Sequence, residues 1–163
     1  MKTIDFQGMK VRIDRPKGFE QSGVGDDGKP WKRVYLYDYG FLPRTKGGDG
    51  DGVDVFIGPK AEAPTAFWAI PKDKNGKFDE YKVFVGFPSR AAARKAYVQH
   101  IPEKFLGGMA AMSVQMMKAL LGYEPLEKLA MAVPGKDFFD KVAFVLAYND
   151  ELGAALPSEV PWA

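Results

Sequence analysis

Apolar and polar residues alternate along Met9-Lys10-Val11-Arg12-Ile13-Asp14, the period-two pattern of a strand with one buried face. Aromatic and β-branched residues gather again at 31–37, 53–57, 66–70 and 81–85, and each run predicts a further short strand. Asp26-Asp27-Gly28-Lys29-Pro30 and Asn75-Gly76 are turn signals between them. Short strands broken by frequent turns predict a small barrel or sandwich. The pattern changes after residue 88. Ser89 predicts the N-cap of a helix over 90–99, and Ser113 caps a second over 114–121 closed by Gly122. Pro125 suits the first turn of a third helix, and Asp137 begins a fourth that reaches about residue 148.

That last helix is apolar around much of its girth, with Phe138, Phe139, Val142, Phe144, Val145 and Leu146, so it must be buried on the fold or on another chain. Met109, Met112, Met116 and Met117 read as core filler, as do Trp31 and Trp68. His100 falls where the first helix ends and reads as part of its terminal cap. Trp162, in a tail bounded by Pro157 and Pro161, is placed to anchor a partner.

Composition narrows the classes of function. With 163 residues, 46% hydrophobic and 27% charged, the chain can fold as an ordinary globular domain. Its net charge of +2 and lack of a long Lys/Arg run argue against a nucleic-acid partner, while small phosphate anions remain compatible. The absence of cysteine excludes disulfides and thiol chemistry, and a single histidine excludes a multi-histidine metal site within one chain. No segment has signal-peptide character or the length of a membrane span, so a soluble protein is expected.

The candidate chemistry lies in Asp49-Gly50-Asp51-Gly52-Val53-Asp54, three carboxylates within six residues. Carboxylates this crowded repel one another unless a cation or solvent neutralises them. With a bend at Gly52 they would form a cage of hard oxygen ligands suited to Mg²⁺, Mn²⁺ or Ca²⁺. Beyond the bend, Val53, Val55 and Ile57 would face the core and Asp54 the opposite side. A solvated Asp/Gly turn is the alternative. An EF-hand is a poor match, because Asp54 stands where its glycine belongs and Lys60 where its terminal glutamate belongs.

The run Tyr39-Gly40-Phe41-Leu42-Pro43-Arg44-Thr45, followed by the acidic loop, resembles the signature region of family I soluble inorganic pyrophosphatases. Ile13-Asp14-Arg15-Pro16 and Asp79-Glu80-Tyr81-Lys82 are similar to flanking segments of that family. The whole run, with Gly76-Lys77-Phe78-Asp79-Glu80-Tyr81-Lys82 and Gly86-Phe87-Pro88-Ser89-Arg90-Ala91, resembles in particular the pyrophosphatase-like domains of bacteriophages. The likeness covers about residues 9–122. It implies an α+β domain over 1–122, a small OB-like five-stranded β-barrel with packed helices, followed by a helical extension over 123–163.

It also implies Mg²⁺-dependent hydrolysis of pyrophosphate, with Mn²⁺ as a substitute cation. Carried over by position, Asp49, Asp51, Asp54, Asp14 and Glu80 would be metal ligands, and Asp51 the general base. Tyr39, Lys82, Arg33 and Arg44 would contact phosphate, with Lys32 an alternative to Arg33 and Asp73 a further candidate ligand two residues out of register. Three departures stand out. Ser22-Gly23-Val24 carries no Lys-x-Glu pair, Gly52 replaces the motif proline, and the family's late Tyr-Lys pair has no clear counterpart near Tyr97. The expectations are therefore a pyrophosphatase of the bacterial host cytoplasm, or a weakened phage protein kept for structure, assembly or host-factor binding. In the second case residues 123–163 would serve a homo-oligomer or virion partner.

Overall fold

In this computed structural model the described residues are 1–43, 52–71 and 82–120. The alternating run at Met9 becomes strand β2 (Met9–Arg15), which follows β1 (Lys2–Phe6) and buries Met9, Val11 and Ile13 on one side. Then come β3 (Glu20–Val24), β4 (Pro30–Val34), β5 (Asp38–Leu42), β6 (Val53–Ile57), β7 (Thr65–Pro71) and β8 (Lys82–Val85). Helix α1 (Arg90–His100), a 3-10 turn at Glu103–Phe105, β9 (Leu106–Ser113) and α2 (Val114–Leu120) complete the described chain.

Seven strands form one sheet in the order β1-β2-β5-β6-β8-β7-β9, while β3 and β4 pair only with each other. Among the described residues β1 and β9 each pair on one side only, so the α+β fold has an open sheet in place of a closed five-stranded barrel. The allocation of strands explains the difference. β3 and β4 leave as a separate ribbon, and β1 and β9 extend the sheet at opposite edges instead of joining it into a ring.

Two cores lie on opposite faces of the sheet. The first holds Met9, Val11, Ile13, Leu42, Val53, Val55, Trp68, Val83 and Val85, closed by Met112, Met116 and Met117 from β9 and α2. The second holds Tyr35, Tyr39, Phe56, Phe67, Phe84 and Phe87, closed by Ala93, Ala96 and Tyr97 of α1. β6 and β8 serve both cores by alternation, as central strands must.

Both predicted serine caps form. Ser89 Oγ accepts from Ala92 N–H at 3.1 Å and Ser113 Oγ from Met116 N–H at 3.0 Å, each satisfying an orphan donor of the first helical turn. Trp31 departs from expectation. It is 39% exposed, because β4 belongs to the separate ribbon, and its indole instead lies on Gly23 across the strand pair. The strand expected over 31–37 also stops at Val34, and the chain turns through Tyr35–Tyr37 before β5 enters the sheet. The helices expected at Pro125 and Asp137, Gly122, Trp162 and the Asn75-Gly76 turn lie outside the described residues.

β2 and β5 approach unusually closely. Their register shifts between Ile13 and Arg15, so Gly40 faces Ile13 and Tyr39 faces Arg15, a bulge at Asp14. A Cβ on Gly40 would fall well inside contact distance of the Arg12 carbonyl. The glycine following Tyr39 is therefore a packing requirement of the sheet.

Candidate functional site

β5, β6 and β8 are neighbours, and their registers bring three of the predicted residues together. Asp54 pairs with Phe41 on one side and with Lys82 on the other, in a parallel ladder. Tyr39 lies two register pairs along, opposite Phe56 and on the same face as Asp54. Its hydroxyl donates to Asp54 Oδ2 at 2.7 Å, while Lys82 Nζ donates to the same carboxylate oxygen at 3.0 Å and to the tyrosine oxygen at 3.1 Å. Val53 and Val55 point into the first core and Asp54 away from it, as the alternation predicted.

The cluster is partly enclosed: the side chains of Lys82 and Asp54 are 15% and 24% exposed. Burial pushes the Tyr39 pKa well up, and the neighbouring Asp54 carboxylate adds to this against the opposing pull of Lys82. The phenol therefore stays protonated, which is the state its hydrogen bond to Asp54 requires. The Tyr39 ring packs edge-on to Phe56 at 4.6 Å, and Phe56 stacks on Phe84 at 4.8 Å, so the hydroxyl stands at the rim of a rigid aromatic layer.

Arg15, which is outside the predicted set of site residues, enters the same neighbourhood. The bulge sets it opposite Tyr39, with its guanidinium 5.5 Å from the centre of that ring and 5.7 Å from that of Tyr35. The signal in the sequence was the end of the alternating run, where Asp14-Arg15-Pro16 breaks period two. Arg33 arrives from β4. Arg15 and Arg33 both donate to the Tyr35 hydroxyl, at 3.2 and 3.3 Å, and that hydroxyl donates to Gln21 Oε1 at 3.0 Å. Burial lowers the Arg15 pKa, but the Tyr35 and Tyr39 hydroxyls and Asp14 outweigh it, so the net shift is upward and the charge is secure.

His100 is buried behind this layer. Leu36 N–H donates to its Nε2 at 2.9 Å, which leaves Nδ1 to carry the proton and donate to Ala96 O at 2.6 Å. The ring thus caps the last turn of α1, as expected, and also ties that helix to the bend before β5. Desolvation lowers its pKa, with nearby Arg33 acting in the same direction and the Ala96 hydrogen bond opposing.

Asp14 is exposed on β2. Asp49, Asp51, Arg44, Asp73 and Glu80 lie outside the described residues. Among the described residues no three acidic or histidine side chains gather in a way that could hold a metal ion.

The sequence model of the inorganic pyrophosphatases matches residues 1–122. The chain belongs to the inorganic pyrophosphatase family. Searches among curated proteins and solved structures returned no match. Membership in a pyrophosphatase family gives the Tyr39–Asp54–Lys82 cluster its chemical context, since pyrophosphate hydrolysis is the reaction at family level. The glycine standing at the motif's proline position also finds a local reason. Gly52 has φ +111, which the proline ring forbids, and a Cβ there would lie 2.7 Å from Leu42 O. At the Ser22-Gly23-Val24 departure, Gly23 forms the seat of Trp31, so that stretch of β3 serves packing. No described helix of this pyrophosphatase-family chain is long and apolar enough to cross a membrane.

Proposed function

We propose that the chain hydrolyses pyrophosphate, or a related phosphoanhydride, to two phosphates in a Mg²⁺-dependent reaction, with Mn²⁺ as a substitute cation. The observation that carries this reading is the hydrogen-bonded cluster of Tyr39, Asp54 and Lys82 in a chain whose family acts on pyrophosphate.

The donor chemistry of Asp54 fits a hard cation. Its Oδ2 is committed to Tyr39 and Lys82, whereas Oδ1 accepts no hydrogen bond among the described residues. The ammonium beside Oδ2 would compete with a cation there, so Asp54 would ligate through Oδ1 alone. Asp49, Asp51, Asp14 and Glu80 complete the proposed ligand set. Mg²⁺ held by these carboxylates would offset the substrate's charge and acidify a water.

The protein's own groups then have distinct tasks. Lys82 and Arg33, with Arg44, neutralise the phosphoryl oxygens and the charge that grows on the departing bridging oxygen. Tyr39, held neutral, orients Asp54 and presents its oxygen to the same neighbourhood. Asp51 takes the proton of the attacking water as its oxygen bonds to phosphorus and the bridging P–O bond breaks.

A phosphate-release assay with Mg²⁺ tests the proposal. Asp51→Asn should lower kcat on the order of 10²–10⁴-fold, the range of a lost general base. Turnover equal to the parent's would sink it. A second reading, a weak or inactive protein retained for phage structure, assembly or host-factor binding, gains support from β3, where packing residues occupy the stretch that would carry a Lys-x-Glu pair. It predicts no phosphate release from pyrophosphate or nucleotides, and a stable assembly in light scattering through residues 123–163. Under the first reading residues 1–122 are the catalytic domain, placed in the host cytoplasm. Under the second, the virion is the expected location.

A further inference from the structure

Arg15 and Arg33 converge on one neutral oxygen. Each donates a single hydrogen bond to the Tyr35 hydroxyl, at 3.2 and 3.3 Å, and among the described residues neither forms an ion pair. The hydroxyl proton is directed to Gln21 Oε1, so its lone pairs are what the two guanidiniums share. Two like charges brought to one acceptor repel, and a guanidinium carries five N–H donors, most of them uncommitted among the described residues. Such a pair is complementary to a tetrahedral dianion, which can take parallel N–H bonds from each fork.

The fold pays for this convergence with three separate devices. The bulge at Asp14 turns Arg15 onto the Tyr39 side of the sheet, the cross-strand pairing of Gln21 with Arg33 fixes the ribbon, and the buried ring of Tyr35 fixes their meeting point. Stacking holds both forks in place: Arg15 over Tyr39 and Tyr35, Arg33 at 5.4 Å from the Trp31 ring centre. Lys82 Nζ lies 5.5 Å from the centre of the Tyr39 ring, the same distance as the Arg15 guanidinium, so both cations border one side chain. Arg33 also lines a groove of about 890 Å³ between the ribbon turn and the end of α1, with Lys29, Lys32 and Lys104 on its walls beside Asp26 and Asp27. Arg33 is thereby open to solvent on the groove side.

We propose that Arg15 is a further phosphate-binding residue, which joins Arg33 in an anion subsite for a phosphoryl group and borders the same Tyr39 ring as Lys82. The proposal rests on the pyrophosphatase reading in one respect only, that the group bound is the second phosphoryl of the substrate, or the phosphate product. Arg15 thereby supplies positive charge in a chain whose Ser22–Val24 stretch supplies none.

Calorimetric titration of inorganic phosphate into the full chain in EDTA tests the subsite without turnover. Arg15→Met keeps an aliphatic stem against the rings and removes the fork, and Arg15→Lys restores charge without the fork. The parent should bind phosphate, Arg15→Met should weaken binding about tenfold or more, and Arg15→Lys should recover part of the loss. With pyrophosphate, Arg15→Met should raise KM more than it lowers kcat. A purely structural Arg15 would lower Tm and leave phosphate affinity unchanged, and that result would overturn the subsite, as would a parent that binds no phosphate. Should Arg15→Met not fold, Arg15→Gln carries the comparison, with the same loss expected and unchanged affinity counting against the proposal. Failure of the pyrophosphatase reading would look different: no phosphate released from pyrophosphate, with Arg15-dependent phosphate binding intact.

Discussion

The two faces of the sheet solve different problems with the same strands. On one, Val53, Val55, Val83 and Val85 meet the methionines of β9 and α2 and form an aliphatic core. On the other, Phe56 and Phe84 lie among Tyr35, Tyr39, Tyr97 and His100, a layer of rings whose polar ends hold hydrogen bonds. An aliphatic layer offers no place for a half-buried charge. An aromatic one does, because a phenol can be packed by its body and wet at its tip. Asp54 and Lys82 sit on that second face, next to Phe56 and Phe84 along their strands.

The largest effect should come from breaking both faces together. Gly40→Ala would drive a methyl into the Arg12 carbonyl and part β2 from β5, costing on the order of 3–5 kcal/mol in urea unfolding. Stability near the parent's would mean that the two strands do not approach as closely as described. A smaller loss, confined to the polar face, is expected for Lys82→Met. It removes the ammonium and leaves a half-buried carboxylate with only the Tyr39 hydroxyl, at a cost of about 1–3 kcal/mol and with weakened pyrophosphate binding. Unchanged pyrophosphate affinity would separate Lys82 from the substrate.

His100 gives the smallest effect. Its folded pKa lies below the ordinary value, so the unfolded chain binds the extra proton first. Its contribution to stability is present above pH about 6.5 and is lost as pH falls from there toward the folded pKa. The protonated ring would also set a second donor against Leu36 N–H. Thermal melts should show Tm falling by a few degrees over that acid range. The same slope in His100→Gln would assign the effect to other groups.

What the sequence made legible was local. Ser89 and Ser113 announce their helices because a cap is a bond to a residue only three positions on. The β2 alternation and the inward pair Val53/Val55 follow from period two alone. Asp54, Tyr39 and Lys82 each stand out singly in the sequence, but their contact depends on strand order, and a parallel β6–β8 pair leaves no short-range mark in the chain. β5 was hidden by Gly40, which lowers strand propensity where close packing demands it. Trp31 misled because a large aromatic reads as core wherever it falls, and only the separation of the β3–β4 ribbon exposes it.

The parallel pairing of β6 with β8 also sets the order in which the molecule can assemble. A chain emerging from the ribosome presents β6 and β7 before β8 exists. β8 then enters between them, and it is the strand that joins the β1-β2-β5-β6 half of the sheet to the β7-β9 half. Lys82 is its first residue, so the contact with Asp54, 28 positions earlier, arrives as β8 links β6 to β7. The Lys82–Asp54 contact therefore reports that β8 has joined β6, before β9 completes the sheet, and nascent chains that end before β8 would carry Asp54 without its cation.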